Sequence, residues 1–127
     1  LASPAAAAEP EVYILYPRDG ATVGSPVPVL MGLRNFGVAP AGVEVDGTGH
    51  HHILLNRPAW GEGAGDAEAA ETGLPADAHH VHFGGGQTET MLDLSPGEHT
   101  LQLLLGDAFH VPHDPPIVSE RITITVK

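Results

Sequence analysis

The chain reads as all-β, an antiparallel immunoglobulin-like (Greek-key) β-sandwich of about seven to eight short strands. Apolar residues recur with a period of two, the signature of a strand with one buried face. The runs are rich in Val, Ile, Leu and Thr, and each is bounded by Gly, Pro, Asn or Asp. Nowhere is a helical period sustained.

Residues 12–16 form the first strand, stopped by Pro17-Arg18-Asp19-Gly20, in which each residue type favours a turn for its own reason. In 27–33, Val27, Val29, Met31 and Leu33 share a face, and Pro28, unable to donate to a ladder, predicts an edge strand. Residues 43–45 are a short candidate and 51–56 a better one. Residues 88–94 alternate in part and run through Ser95-Pro96-Gly97 into a strand over 99–105. The last, 119–127, places Ile122, Ile124 and Val126 opposite Arg121, Thr123 and Thr125. The expected core is Val12, Ile14, Val29, Met31, Leu101, Leu103, Leu105, Ile122 and Ile124, each stabilising by roughly 1.5–3 kcal/mol when fully buried.

Two segments interrupt this rhythm. Residues 60–78 carry Glu62, Asp66, Glu68, Glu71 and Asp77 with no cation, and hold at most a helical turn or two near 67–71. Loops of that length are usually functional or mobile. Residues 106–117 are rich in Asp, His and Pro. Domain organisation follows: 1–11 is a flexible N-terminal segment, and 12–127 is a single β-sandwich metal-binding domain. The first eight residues, small and uncharged, resemble the tail of a secretory signal peptide or the mature start after one, and a disordered alanine-rich start fits them equally well.

Composition narrows the chemistry. With no cysteine, disulfides, thiolate metal sites and cysteine nucleophiles are excluded. Five cations face sixteen carboxylates for a net charge of −11, so nucleic acid is not an expected partner. No run approaches the roughly 18 apolar residues of a membrane helix. There is no Gly-x-Ser-x-Gly elbow and no His-Glu-x-x-His signature, and Gly84-Gly85-Gly86 lacks the Lys of a phosphate loop. Those three glycines fit a sharp turn beside His82 instead.

Eight of the nine histidines fall into three clusters: His50-His51-His52, His79-His80-Val81-His82 and His110-Val111-Pro112-His113. On a strand, alternate residues share a face, so His50 pairs with His52 and His80 with His82, while His51 and Val81 point away. Two such pairs on neighbouring strands, capped by His110 and His113, would converge on one metal ion. Gln87, Glu89, Asp107 and Asp114 are candidates for the outer groups that accept an N–H from metal-bound imidazoles. His99, beside Glu98, is expected to be structural. All-imidazole ligation suits Cu(II), Zn(II) or Ni(II), and the affinity order puts copper ahead, with zinc the alternative. Because protons compete for each imidazole, metal release is expected between about pH 7 and pH 5.

The ordered set Gly49-His50-His51-His52-Ile53-Leu54-Leu55-Asn56, His80-Val81-His82-Phe83-Gly84-Gly85-Gly86-Gln87-Thr88-Glu89, Pro96-Gly97-Glu98-His99-Thr100-Leu101-Gln102-Leu103-Leu104-Leu105-Gly106-Asp107 and His110-Val111-Pro112-His113-Asp114-Pro115-Pro116 resembles the DUF4399 family of exported bacterial domains over about residues 12–127. Many members read Asp where this chain has Asn56, and the family name records no function. More loosely, Tyr16-Pro17-Arg18-Asp19-Gly20-Ala21-Thr22-Val23 is similar to the opening of CopC-type periplasmic copper-resistance proteins, without their N-terminal histidine. These resemblances imply a periplasmic copper-binding protein acting as chaperone, store or delivery factor, with a copper enzyme or transporter receiving the metal. A copper or zinc metalloenzyme is the first alternative and would need a pocket lined by Trp60, Phe83 or Phe109. An immunoglobulin-like interaction module with a structural metal is the second.

Overall fold

The computed structural model describes residues 8–127, and the start of the expected N-terminal segment, 1–7, lies outside the described residues. The elements are β1 (Glu11–Tyr16), β2 (Thr22–Val23), β3 (Val27–Arg34), β4 (Gly37–Val38), β5 (Thr48–Leu55), α1 (Asp66–Thr72), β6 (His80–His82), β7 (Glu89–Leu92), β8 (Gly97–Gly106) and β9 (Ile122–Val126). They form an all-β sandwich. One sheet has the order β1-β3-β7 and the other β2-β9-β8-β5-β4, with β6 pairing along the remainder of β5. Every pairing is antiparallel except the short β2–β9 and β4–β5 contacts.

The core between the sheets is built from alternate residues: Val12 of β1, Val27, Val29 and Met31 of β3, Ile53 of β5, Leu101, Leu103 and Leu105 of β8, and Ile122, Ile124 and Val126 of β9. All nine expected core residues take part, Ile14 at the partly buried margin. β8 is buried on both faces, which explains its unbroken Leu run. Its outward Leu104 packs with Leu54, Ala69 and Leu74 in a second cluster under α1. Beyond its pairing with β9, β8 is completed by the chain before that strand: Ser119 Oγ accepts from Leu103 N–H, and Ile117 O from Leu105 N–H.

Two expectations fail. Residues 43–45 are not a strand and lie in the loop between β4 and β5. β3 is the middle strand, not an edge. Pro28 is accommodated because β1 pairs with β3 only as far as Leu30, leaving Pro28 opposite Met91 of β7 with a neighbour on one side.

Candidate metal centre

β5 carries the first cluster, and its alternation divides the three histidines. His50 and His52 face outward with Leu54, while His51 faces inward with Ile53, and all three are fully buried. β6 lies beside them with His82 opposite His52 and His80 opposite Leu54. His110 arrives on the turn after β8, at φ 64. Its own N–H donates to Asp107 O at 3.0 Å, and Asp107 Oδ1 accepts from Phe109 N–H at 2.8 Å and Val111 N–H at 3.0 Å.

His50 Nε2 is 2.9 Å and His52 Nε2 3.4 Å from His110 Nδ1, and one ring nitrogen from each of the three residues lies within 4.8 Å of the others. This is a group that could hold a metal ion. His82 packs beside it, edge-on to His52 and tilted against His110, with ring centroids 4.5 Å and 4.6 Å away. Glycines make the room. A Cβ on Gly106, opposite His50 in the ladder, would stand 2.5 Å from His52 Cε1, so only glycine lets that ring approach β8 so closely.

Electrostatics keep the imidazoles neutral, the form that binds metal. Burial first, and then the neighbouring His110 and His82, push the His50 pKa down to about 4. Burial and the charges of His50, His82 and His110 push His52 to about 2. Burial likewise lowers His110, followed by His82, while Asp107 works in the opposite direction. The Nδ1 atoms of His50 and His52 are buried without a hydrogen-bond partner. Near His52 the Leu104 backbone favours the protonated ring, but its geometry falls short of a hydrogen bond.

The acidic segment before β6 is an ordered scaffold. Buried Asp66 pairs with Arg57 at 3.0 Å and accepts from Gly61 N–H and Gly63 N–H, closing the loop onto the start of α1. Past the helix, Leu74 N–H donates to His110 O at 2.9 Å and Pro75 O accepts from His82 Nε2 at 2.7 Å. One dipeptide therefore holds two of the four clustered histidines. This strap carries no metal-ligand residue, and the only signals for it in the sequence are the loop's length and the lone buried-type partner Arg57.

The remaining candidates lie apart from the triad. His80 is one register step away, its Nδ1 donating to Asp77 Oδ1 at 2.8 Å. His113 lies against Phe36 edge-on at 5.0 Å, with Nε2 2.7 Å from where a Cβ on Gly49 would stand, toward the inward face of β5. Asp107 shapes the His110 turn. Gln87 Oε1 accepts from Gly85 N–H in the glycine turn, Glu89 is exposed in the opposite sheet, and Asp114 is exposed beside His113. Trp60, Phe83 and Phe109 do not share a pocket: Phe83 is in the main core, Trp60 packs on the second cluster, and Phe109 is 60% exposed.

His99 is fully engaged. Its Nε2 donates to Ser95 O, so Nδ1 must accept from Asn56 Nδ2, while Asn56 Oδ1 accepts from Thr100 N–H. An amide does both jobs against a neutral imidazole, whereas a carboxylate would need His99 protonated at both nitrogens. Asn56 also adopts φ 55, a left-handed conformation that Asn tolerates well.

No helix among the described residues is long and apolar enough to cross a membrane. No curated protein and no solved structure matches the chain. A family model, described as a domain of unknown function, matches residues 29–127, a stretch that includes all four histidine positions of the centre and begins within β3, later than the expected residue 12. The chain belongs to the DUF4399 family.

Proposed function

We propose that this protein binds one copper ion at His50, His52 and His110, with His82 completing the shell through Nδ1, and that it carries or stores the metal. The observation that supports this most is the meeting of three imidazoles, with one ring nitrogen from each of His50, His52 and His110 within 4.8 Å of the others and both Nε2 atoms of β5 facing His110 Nδ1. Without an ion the three compete for shared protons. A cation takes up all their lone pairs at once. The His82 assignment follows from its tautomer: a carbonyl can only accept, so Nε2 carries the proton and the lone pair is left on Nδ1. Nitrogen-only ligation favours Cu(II) over Zn(II) at equal availability. We also propose a periplasmic location, where an oxidising medium keeps copper in the state these ligands suit. A carrier is preferred to an enzyme because the three aromatic candidates for a substrate pocket are dispersed.

Titration of the apo protein with Cu(II) and Zn(II) against a competing chelator tests the reading. The expected result is one equivalent of tightly bound copper, weaker zinc, and nitrogen superhyperfine structure in the Cu(II) electron paramagnetic resonance spectrum. Binding no tighter than micromolar, or unchanged in a His50→Ala/His52→Ala variant, overturns it. Turnover by the loaded protein in redox or hydrolytic assays would favour the metalloenzyme.

A further inference from the structure

Beside the histidine centre, the β4–β5 loop and the turn after β8 enclose an open groove of about 200 Å³. Val43, Val45 and Phe109 supply its apolar surface, and Glu44, Asp46 and Asp107 its rim, with no cation among the lining residues. The apolar side chains are unusually bare: Val43 is 41%, Val45 57% and Phe109 60% exposed. Yet the backbone beneath them is pinned. Gly42 N–H donates to Ala108 O across the two loops at 2.8 Å, and Asp107 Oδ1 holds the amides on either side of His110. A bare aromatic on a fixed turn contributes little to this fold, but it is what an interaction hot spot requires, since its ordering cost is already met. The groove also borders the turn that presents His110, because Phe109 directly precedes His110 and the Asp107 that lines the groove accepts from the amides on either side of it.

We propose that this groove docks the protein that exchanges metal with the histidine centre, and that this partner presents an apolar side chain encircled by lysine and arginine. The partner's chemistry follows from complementarity to an acidic rim around apolar residues on a chain of net charge −11. The metal-exchange role rests on the metal-binding reading above.

The test is a nuclear magnetic resonance titration of ¹⁵N-labelled apo and zinc-loaded protein with the capped peptide Lys-Leu-Lys-Leu-Lys, compared with Glu-Leu-Glu-Leu-Glu and Lys-Gly-Lys-Gly-Lys. Saturating shifts confined to Val43, Val45, Phe109 and their neighbours, seen only with the first peptide, are expected. Phe109→Ser and Glu44→Gln/Asp46→Asn should each weaken that binding at least tenfold and leave the metal Kd, read by chelator competition, unchanged. Shifts spread over the acidic surface, or a Phe109→Ser protein that binds the peptide as well as the parent, overturn the docking site even when metal binds. Localised peptide binding with no metal affinity overturns the exchange role and the metal reading together.

Discussion

The carbonyl oxygen of Pro75 accepts from His82 Nε2 at 2.7 Å, and this bond decides which end of the imidazole can meet a metal. Two residues earlier, His80 makes the same kind of bond through the other nitrogen, Nδ1, to Asp77. The two members of one His-x-His pair are thus held in opposite tautomers by neighbouring parts of one loop.

Replacing His82 by Ala should lower copper affinity by at least the roughly 10–100-fold typical of losing a group that orients a metal site. His80→Ala should leave affinity nearly unchanged. Chelator competition on the two variants side by side reads the difference, and equal losses would contradict the assignment of Nδ1 of His82 to the ion.

Gly106→Ala places a methyl group 2.5 Å from His52 Cε1, against a ring with no free space to turn into. We expect a loss of about 1–3 kcal/mol in apo stability, as overpacking costs elsewhere, together with weakened metal binding. Chemical denaturation and metal titration measure the two effects. Gly24→Ala, where nothing lies within 4 Å of the added carbon and the backbone is not left-handed, controls for the general effect of replacing a glycine.

Acid should destabilise the apo protein over a defined range. His50 and His51 titrate at about 4 when folded, His51 because of burial alone, and His52 at about 2, against 6.5 for the unfolded chain. Below pH 6.5 the unfolded chain takes up protons that the folded one refuses, so stability falls as pH falls, down to about pH 4 for the first two and lower for His52. His51 alone accounts for a loss on the order of 3 kcal/mol at pH 4. Apo melting temperatures at pH 7.5, 6, 5 and 4 should decline across that series, and His51→Leu should make the decline shallower while His50 and His52 keep it from vanishing. Metal release also moves: the lowered pKa values of His50, His52 and His110 carry it below the pH 7–5 interval of an ordinary imidazole site.

Asn56→Ala removes the donor to His99 Nδ1 and the acceptor for Thr100 N–H. It should cost about 1–3 kcal/mol by leaving those groups unpaired, without changing metal affinity. Thermal unfolding with a parallel titration checks both halves.

Copper should raise stability without creating the fold, since the core is apolar and complete without it. At a hundred times the dissociation constant the increment is about 2.7 kcal/mol. Scanning calorimetry of apo and loaded protein should show two cooperative transitions, the apo one lower. An apo protein with no transition would make the centre a structural staple.

Much of this arrangement is legible in local periodicity. The two-residue repeat places His50 with His52, turns His51 inward and assigns Leu101, Leu103 and Leu105 to the core, because side-chain direction on a strand follows from parity alone. What parity cannot carry is loop closure. It ranks His80 with His82, although only His82 lies opposite His52, and it offers no choice between His110 and His113, which leave their turn toward opposite faces of β5. Pro28 misleads for a related reason: it reports a missing neighbour at one residue, whereas strand order is set by the other end of β3. The acidic loop reads as mobile because its ordering depends on the pairing of Arg57 with Asp66, on glycine amides, and on backbone bonds to Gln102, His110 and His82, none of which leaves a trace in composition.

Three consecutive histidines on β5 have a consequence for assembly of the sheet. A slip of one residue in the pairing with β8 would exchange the faces, sending His50 and His52 into the apolar interior and offering the outer side the single imidazole of His51. An ion that needs two nitrogens from this strand binds only the correct alignment. Metal loading would therefore proofread strand register, drawing misaligned chains back toward the native pairing as they fold.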